Sequence, residues 1–246
     1  MEDSFMRTKL SILSVGLAIA LIVGGCNKKS SNPATSPQTS TTPTFPVVSI
    51  KGPNTNSTDT YAQTVKAYAT SVSQLTTPSF LGAIITVSPT QSGNTWTWAG
   101  TEGNFTVTAT ATQQTDGSLT WSATLNGTDP SSGTTYNNFV AMTGSSSADG
   151  KSGDFKSYVD NTTTLDGDFA WSTNASGALT ATLQSYTNGS VTNKITIVNS
   201  SDGSGELDAY SGTVLTFKAT WVANGSGTWW TYDSGTGTQT GTGTWS

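Results

Sequence analysis

The regular alternation of apolar and polar residues along most of the chain restricts its fold more than any other feature. Apolar residues alternate with threonines from Phe105 to Ala111, and a second alternating run extends from Leu119 to Leu125, after Asp116-Gly117. Side chains that repeat with a period of two lie on opposite faces of a β-strand. An Asp-Gly pair between two such runs is typical of a hairpin turn, so the sequence predicts an antiparallel pair of strands here.

The same pattern continues to the C terminus and predicts roughly twelve strands in all. The further runs are 136–143, 154–160, 168–172, 179–185, 194–199, 206–210, 214–221, 228–232 and 241–245, with shorter ones at 84–87 and 96–98. Turns are predicted at Asp149-Gly150, Asp166-Gly167, Asn188-Gly189 and Asp202-Gly203. Short connections favour an antiparallel meander whose edges are removed by closure or cover. We expect an all-β fold, an antiparallel up-and-down meander forming a barrel or a curved half-barrel.

One stretch has a helical period instead. Tyr61, Val65, Tyr68 and Val72 recur at steps of three or four, and no proline or glycine interrupts the chain before Pro78. The pattern predicts an amphipathic helix over about residues 59–75, capped by Thr58-Asp59. Its apolar stripe is expected to pack on the sheet, with a lid over a cavity as the alternative.

Missing residue types exclude several kinds of chemistry. The chain has no histidine, no arginine after Arg7 and no cysteine other than Cys26. It therefore lacks the usual general base, the Ser-His-Asp triad and the His/Cys zinc site. The formal net charge of −5 argues against nucleic acid as a partner, because phosphate backbones are bound through lysine and arginine.

Carboxylates give weaker alternatives. Asp160, Asp166 and Asp168 lie close together in sequence, and such loops can supply oxygen ligands to calcium, but turn aspartates bonded to their own backbone are the commoner explanation. Glu102 and Glu206 are the two glutamates beyond the N-terminal segment, and nothing in the sequence pairs either with a second carboxylate as a glycosidase requires. We predict no enzyme, no cofactor and no metal site.

Tryptophans are the candidate ligand contacts. Trp96 with Trp98, and Trp229 with Trp230, place more indole together than one core layer needs. Because neighbouring residues of a strand face opposite sides, Trp229 and Trp230 must diverge. One of them is expected at a rim, where it can stack on a sugar or an apolar ligand.

The N terminus has the features of a secretory signal. Arg7 and Lys9 precede an uncharged run that extends to Gly25, too short for a spanning helix, and Cys26 follows. Residues 23–26, Val-Gly-Gly-Cys, resemble the lipobox of bacterial lipoproteins, which implies cleavage before Cys26 and lipidation of its thiol. The resemblance implies a membrane partner through that lipid, and Asn27 in place of aspartate favours the outer membrane of the cell envelope.

Three segments result: a signal peptide over 1–25, the lipidated cysteine with a disordered Ser/Thr/Pro-rich spacer over 26–57, and the β-meander domain with its N-terminal helix over 58–246. A Ser/Thr-Gly-x-aromatic or Leu motif, with tyrosine three residues beyond, recurs at 152–158, 204–210 and 226–232, with an echo at 242–245. This motif resembles uncharacterised β-rich lipoproteins of Gram-negative bacteria, a resemblance that implies no activity.

The leading functional hypothesis is a non-catalytic cell-envelope lipoprotein that binds or scaffolds a ligand at the membrane. One alternative is a carrier that holds a lipid or another apolar ligand in the curved sheet. Another is a glycan-binding module that uses rim tryptophans. A membrane-embedded barrel is the least favoured, because the small alanines of the apolar face are poor lipid contacts.

Overall fold

The computed structural model describes residues 41–74, 84 and 86–246. The predicted signal peptide, Cys26 and the first part of the predicted spacer lie outside the described residues. In the part of the chain that the structure describes, no helix has the length and apolar character needed to cross a membrane.

The described residues contain one α-helix and thirteen β-strands. The helix α1 is Thr60–Gln74, and the strands are β1 Thr90–Ser92, β2 Thr95–Glu102, β3 Phe105–Gln113, β4 Leu119–Thr128, β5 Thr135–Ser146, β6 Ser152–Tyr158, β7 Leu165–Thr173, β8 Leu179–Thr187, β9 Ser190–Asn199, β10 Gly205–Ser211, β11 Val214–Trp221, β12 Gly227–Tyr232 and β13 Gln239–Trp245.

Every strand pairs antiparallel with its sequence neighbours, so the sheet order runs from β1 to β13 without a crossover. The antiparallel meander predicted from the alternation is confirmed. Among the described strands no hydrogen-bonded ladder joins β13 to β1, so the sheet is not closed and has two free edges.

Helix α1 lies against the inner face of the sheet, the predicted arrangement. Asp59 caps it, since its Oδ1 accepts hydrogen bonds from the backbone amides of Tyr61 at 2.8 Å and Ala62 at 3.1 Å. The apolar stripe of Ala62, Val65, Ala69 and Val72 is fully buried. On the sheet side the ring of Tyr61 stacks on Trp229, with centroids 3.7 Å apart.

Residues 45–55, here called the inner strap, cross the same face, and this corrects the predicted boundary at residue 58. Phe45 packs on Phe155 with ring centroids 4.6 Å apart, and Val48 and Ile50 are buried. Asn199 of β9 holds the middle of the inner strap by two 2.8 Å hydrogen bonds, one to each backbone polar group of Lys51. The packed domain therefore begins by Phe45, because these few apolar side chains fill positions on the sheet.

Two local predictions are wrong. The run at 84–87 is not a strand in its described residues: the amide of Val87 donates to the carbonyl of Ile84 in a turn. Asp166-Gly167 is not a turn but part of β7, where a register shift places Gly167 opposite Ser157. The connection between β6 and β7 lies earlier, at residues 159–164.

The sequence repeat becomes a packing unit at one end of the inner face. Three tryptophans, on β7, β11 and β13, donate hydrogen bonds from the indole Nε1 to a glycine carbonyl in the turn that precedes the neighbouring strand β6, β10 or β12. The pairs are Trp171 with Gly150, Trp221 with Gly203 and Trp245 with Gly225, at 3.1, 3.1 and 2.7 Å. Each ring lies over the next glycine of that hairpin, at 153, 205 or 227, so closely that a β-carbon there would overlap it. The shared form of the repeat copies thus reflects ring packing over glycine.

Candidate binding surface on the outer face

Two of the four candidate tryptophans are core residues. Trp96 and Trp98 are 2% and 3% exposed, and the ring of Trp98 lies 6.1 Å from that of Trp121. Their side chains point inward because Trp96 lies opposite Ala111 and Trp98 opposite Ala109, two buried residues on the inner face of β3. This burial disagrees with a stacking role for either residue on a ligand at a rim.

Trp229 and Trp230 face opposite sides of β12, as the alternation predicts. Trp229 packs inward on Tyr61, and its indole Nε1 is buried without a hydrogen-bond partner among the described residues. Trp230 lies on the outer face, partly exposed, between Lys218 of β11 and Thr242 of β13. Of the four tryptophans, Trp230 is therefore the one on the outer surface.

The inner face is covered by protein. One continuous apolar core contains α1, the inner strap and the inward side chains from β2 to β13. A carrier of the predicted kind needs this face hollow, whereas here side chains from α1 and the inner strap occupy it. A ligand site in the described part of the chain is more readily built on the outer face.

The sheet splits on its outer side between β5 and the β6–β7 connection. Strand β5 pairs with β4 over most of its length but with β6 only from Met142 to Ser146. Two register shifts against β4 bend the strand, and Asn138 has a positive φ of 49° within it. The first half of β5 thus separates from the 159–164 connection and leaves an open cleft of about 1140 Å³.

The cleft is lined by uncharged residues. Its walls are Thr135, Asn137, Asn138, Phe139, Val140, Thr143, Tyr158, Asn161, Thr162, Thr163 and Thr164. Amide and hydroxyl groups provide both donors and acceptors. Val140, 41% exposed, adds apolar surface. A pocket that combines many neutral hydrogen-bonding groups with an aromatic ring suits an uncharged, hydroxyl-rich ligand.

Hydrogen bonds hold the two walls in place. The hydroxyls of Tyr158 and Thr143 are 2.8 Å apart, which fixes the ring across the β5–β6 junction. At the other end the side-chain amide of Asn161 donates to the backbone carbonyl of Thr135 at 3.0 Å. The cleft is thus organised before any ligand binds, which lowers the entropy cost of binding.

Asp160 affects the titration of two residues near the cleft. Burial, together with the charge of Asp160, raises the pKa of Tyr136 to about 12, so this phenol stays neutral. Burial and the same neighbour also raise the pKa of Asp166. Among the residues that the structure describes, no three Asp, Glu, His or Cys side chains are grouped to hold a metal ion.

Four tyrosines form a second outer feature, here called the tyrosine row: Tyr158, Tyr186, Tyr210 and Tyr232. They lie near the ends of β6, β8, β10 and β12, and each is partly exposed. In all four hairpins the register shifts immediately before the tyrosine, which then pairs with Leu165, Val191, Leu215 or Gln239 of the next strand. The tyrosine of the sequence repeat marks three of these positions, 158, 210 and 232, whereas Tyr186 lies outside the repeat.

No protein-family model matches this chain, and no curated protein matches it. The function must therefore be inferred from the chemistry of its own residues.

Proposed function

We propose that this protein is a non-catalytic, membrane-tethered binding module of the cell envelope whose outer cleft holds an uncharged glycan. The observation that carries the proposal is the lining of the cleft, which is open, rich in amides and hydroxyls, and without a charged side chain. The covered inner face supports an outer site, because it leaves little room for a ligand beneath the sheet.

Sugar hydroxyls are both donors and acceptors, and the side chains of Asn137, Asn138 and Asn161 can satisfy both roles. The apolar face of a sugar ring needs a flat partner, which Tyr158 provides at the inner end of the cleft. Ionic ligands gain little here, since no lysine or arginine lines the cleft.

Two further parts of the proposal come from the N terminus and the sheet. The short apolar run before Cys26 supports lipidation of that residue and anchoring at the outer membrane, where more than one acyl chain gives stable attachment. A strongly curved half-barrel is supported by the single core that contains both Trp96 near one edge and Trp245 at the other, with α1 between them.

The test is calorimetric titration of the purified full chain, in detergent, with neutral tetrasaccharides of β-linked glucose and of β-linked N-acetylglucosamine. We expect saturable binding of at least one of them. Asn137→Ala should weaken it roughly tenfold, the loss of one or two hydrogen bonds in the site.

Asn193→Ala is the matched control, because Asn193 is an equally exposed strand asparagine that does not line the cleft. Absence of binding to every neutral probe, or equal binding by both asparagine variants and the unmodified chain, would overturn the proposal. Mass spectrometry of the N-terminal peptide tests the tether separately: an unmodified Cys26 in the mature protein contradicts it.

A further inference from the structure

We infer that the tyrosine row extends the cleft into a continuous track for a linear, uncharged polysaccharide that runs across the strands. This inference rests on the proposed function and adds the size and shape of the ligand. Tyr158 belongs to both features, because it lines the cleft and is the first member of the row. A chain held in the cleft therefore leads directly onto the next tyrosines.

The spacing of the row is set by the sheet. Its tyrosines occupy alternate strands, and neighbouring strands lie about 4.8 Å apart, so successive rings repeat at about 10 Å. Three such intervals give a track of about 30 Å from Tyr158 to Tyr232. The same register shift precedes each tyrosine, so the four rings leave the sheet with equivalent geometry. A polymer with a regular repeat matches such a surface better than a compact ligand does.

The two middle rings of the row, Tyr186 and Tyr210, contact neighbouring polar groups. The hydroxyl of Tyr186 donates to Oε1 of Gln184, two residues earlier on the same strand, at 3.3 Å. The ring of Tyr210 lies beneath the ammonium of Lys194, whose Nζ is 4.0 Å from the ring centre. Partly buried rings with fixed hydroxyls lose little side-chain entropy when a ligand stacks on them.

Two of the lysines beside the row are paired with carboxylates, which favours a neutral polymer over an anionic one. Lys218 contacts Glu206 at 2.6 Å and Asp208 at 3.3 Å, and Lys156 contacts Asp154 at 2.9 Å. An anionic chain would have to compete with these carboxylates for the lysines. Trp230 adds a further aromatic surface on the same face, next to Lys218.

The experiment compares short and long probes on the full chain in detergent: the disaccharide and the octasaccharide of whichever neutral series binds. We expect the octasaccharide to bind at least about tenfold more tightly, since it reaches further rings. The double variant Tyr186→Ala/Tyr210→Ala should lose that advantage and leave disaccharide affinity unchanged. Tyr186→Phe/Tyr210→Phe, which keeps both rings, should retain most of it.

Each outcome decides a different statement. Equal affinity for short and long probes, or an octasaccharide affinity unaffected by loss of the two rings, overturns the track and leaves the cleft in place. Failure of every neutral saccharide to bind overturns the proposed function and the track together. Unfolding curves of the double alanine variant show whether it is folded; if it is not, single Tyr186→Ala takes its place in the same titration.

Discussion

One repeated sequence supplies residues to both faces of the sheet, yet the inner and outer faces differ in burial. On the inner face Trp171, Trp221 and Trp245 lie over glycines and are buried. On the outer face the tyrosines of the same hairpins remain partly exposed beside register shifts. Buried packing is thus concentrated on one face, which leaves the other free for the proposed ligand contacts.

Asn199 takes a place that tryptophan occupies in β7, β11 and β13. It lies at the inward end of β9, opposite Gly205. An indole there would occupy the path of the inner strap, whereas the amide binds the backbone of Lys51 on both sides. Asn199 is thus where the sheet fastens the chain that leads towards the N terminus.

Two tryptophans on the paired strands β11 and β12 give the largest expected difference in stability between the faces. Trp221→Ala should lower the free energy of unfolding by about 3–5 kcal/mol, because it empties a buried ring position and removes the bond to Gly203. Trp230→Ala, on the outer face, should cost less than about 1 kcal/mol. Urea unfolding followed by circular dichroism measures both. Equal losses would contradict the division between the faces.

Glycine beneath the ring gives the next effect. Gly205→Ala should cost about 3 kcal/mol, since its β-carbon would overlap the Trp221 ring and the backbone carbonyl of Val198. Combining it with Trp221→Leu should cost less than the two single changes summed, because the smaller side chain relieves the overlap. Gly235→Ala is the control, as its β-carbon meets only ordinary contacts. Simple additivity would argue against ring packing as the reason for the repeat.

The inner strap should respond to Asn199→Ala. Loss of two hydrogen bonds to Lys51 should reduce stability by about 1–3 kcal/mol and speed proteolysis within residues 45–55. Asn199→Asp keeps the acceptor for the Lys51 amide and loses the donor, so its stability should lie between those of the unmodified chain and Asn199→Ala. Limited proteolysis with mass spectrometry locates the cuts; a cleavage pattern unchanged by either variant would show that this anchor is unnecessary.

The smallest expected effect is a pH dependence on the outer face. Burial raises the pKa of Asp168, with Lys156 opposing the shift and Asp154 adding to it. The folded state therefore favours the protonated form, and stability falls as pH rises through the raised pKa. Asp168→Asn should be more stable than the unmodified chain at pH 7, by less than about 1 kcal/mol, and this advantage should disappear below the ordinary value of 3.8.

Asp202→Asn is the matched control for this measurement. Hydrogen bonds from Ser204 lower the pKa of Asp202, the opposite direction, so its replacement should bring no gain at pH 7. Thermal unfolding at pH 3, 5 and 7 compares the two variants. A gain for Asp168→Asn that persists unchanged at pH 3 would require a cause other than titration.

Local sequence patterns were sufficient for the elements but not for their exceptions. The helix predicted over 59–75 is observed at Thr60–Gln74, because its period and its capping aspartate are both local signals. The hairpin of β3 and β4 likewise follows from alternation and Asp116-Gly117. Asp166-Gly167 failed as a turn because the same residue pair also suits a strand irregularity, and only the register with Ser157 distinguishes them.

The candidate site could not be predicted as a whole. The cleft depends on where β5 leaves β6 and on two register shifts between β4 and β5, and no residue pattern in the sequence marks either of these. Its tyrosine was visible as the last residue of the repeat, but exposure of that position was not. The inner strap was missed because Phe45, Val48 and Ile50 are few apolar residues in a polar segment, and their burial depends on a sheet formed by later residues.

The most direct measurement of the central claim, that the ligand binds on the outer face, is hydrogen exchange of the full chain with and without a neutral octasaccharide. The account predicts slower exchange in residues 135–143 and 158–164, extending to the strand ends near Tyr186 and Tyr210, with α1 unchanged. Protection confined to α1 and the inner strap, or no protection at any position, would contradict it.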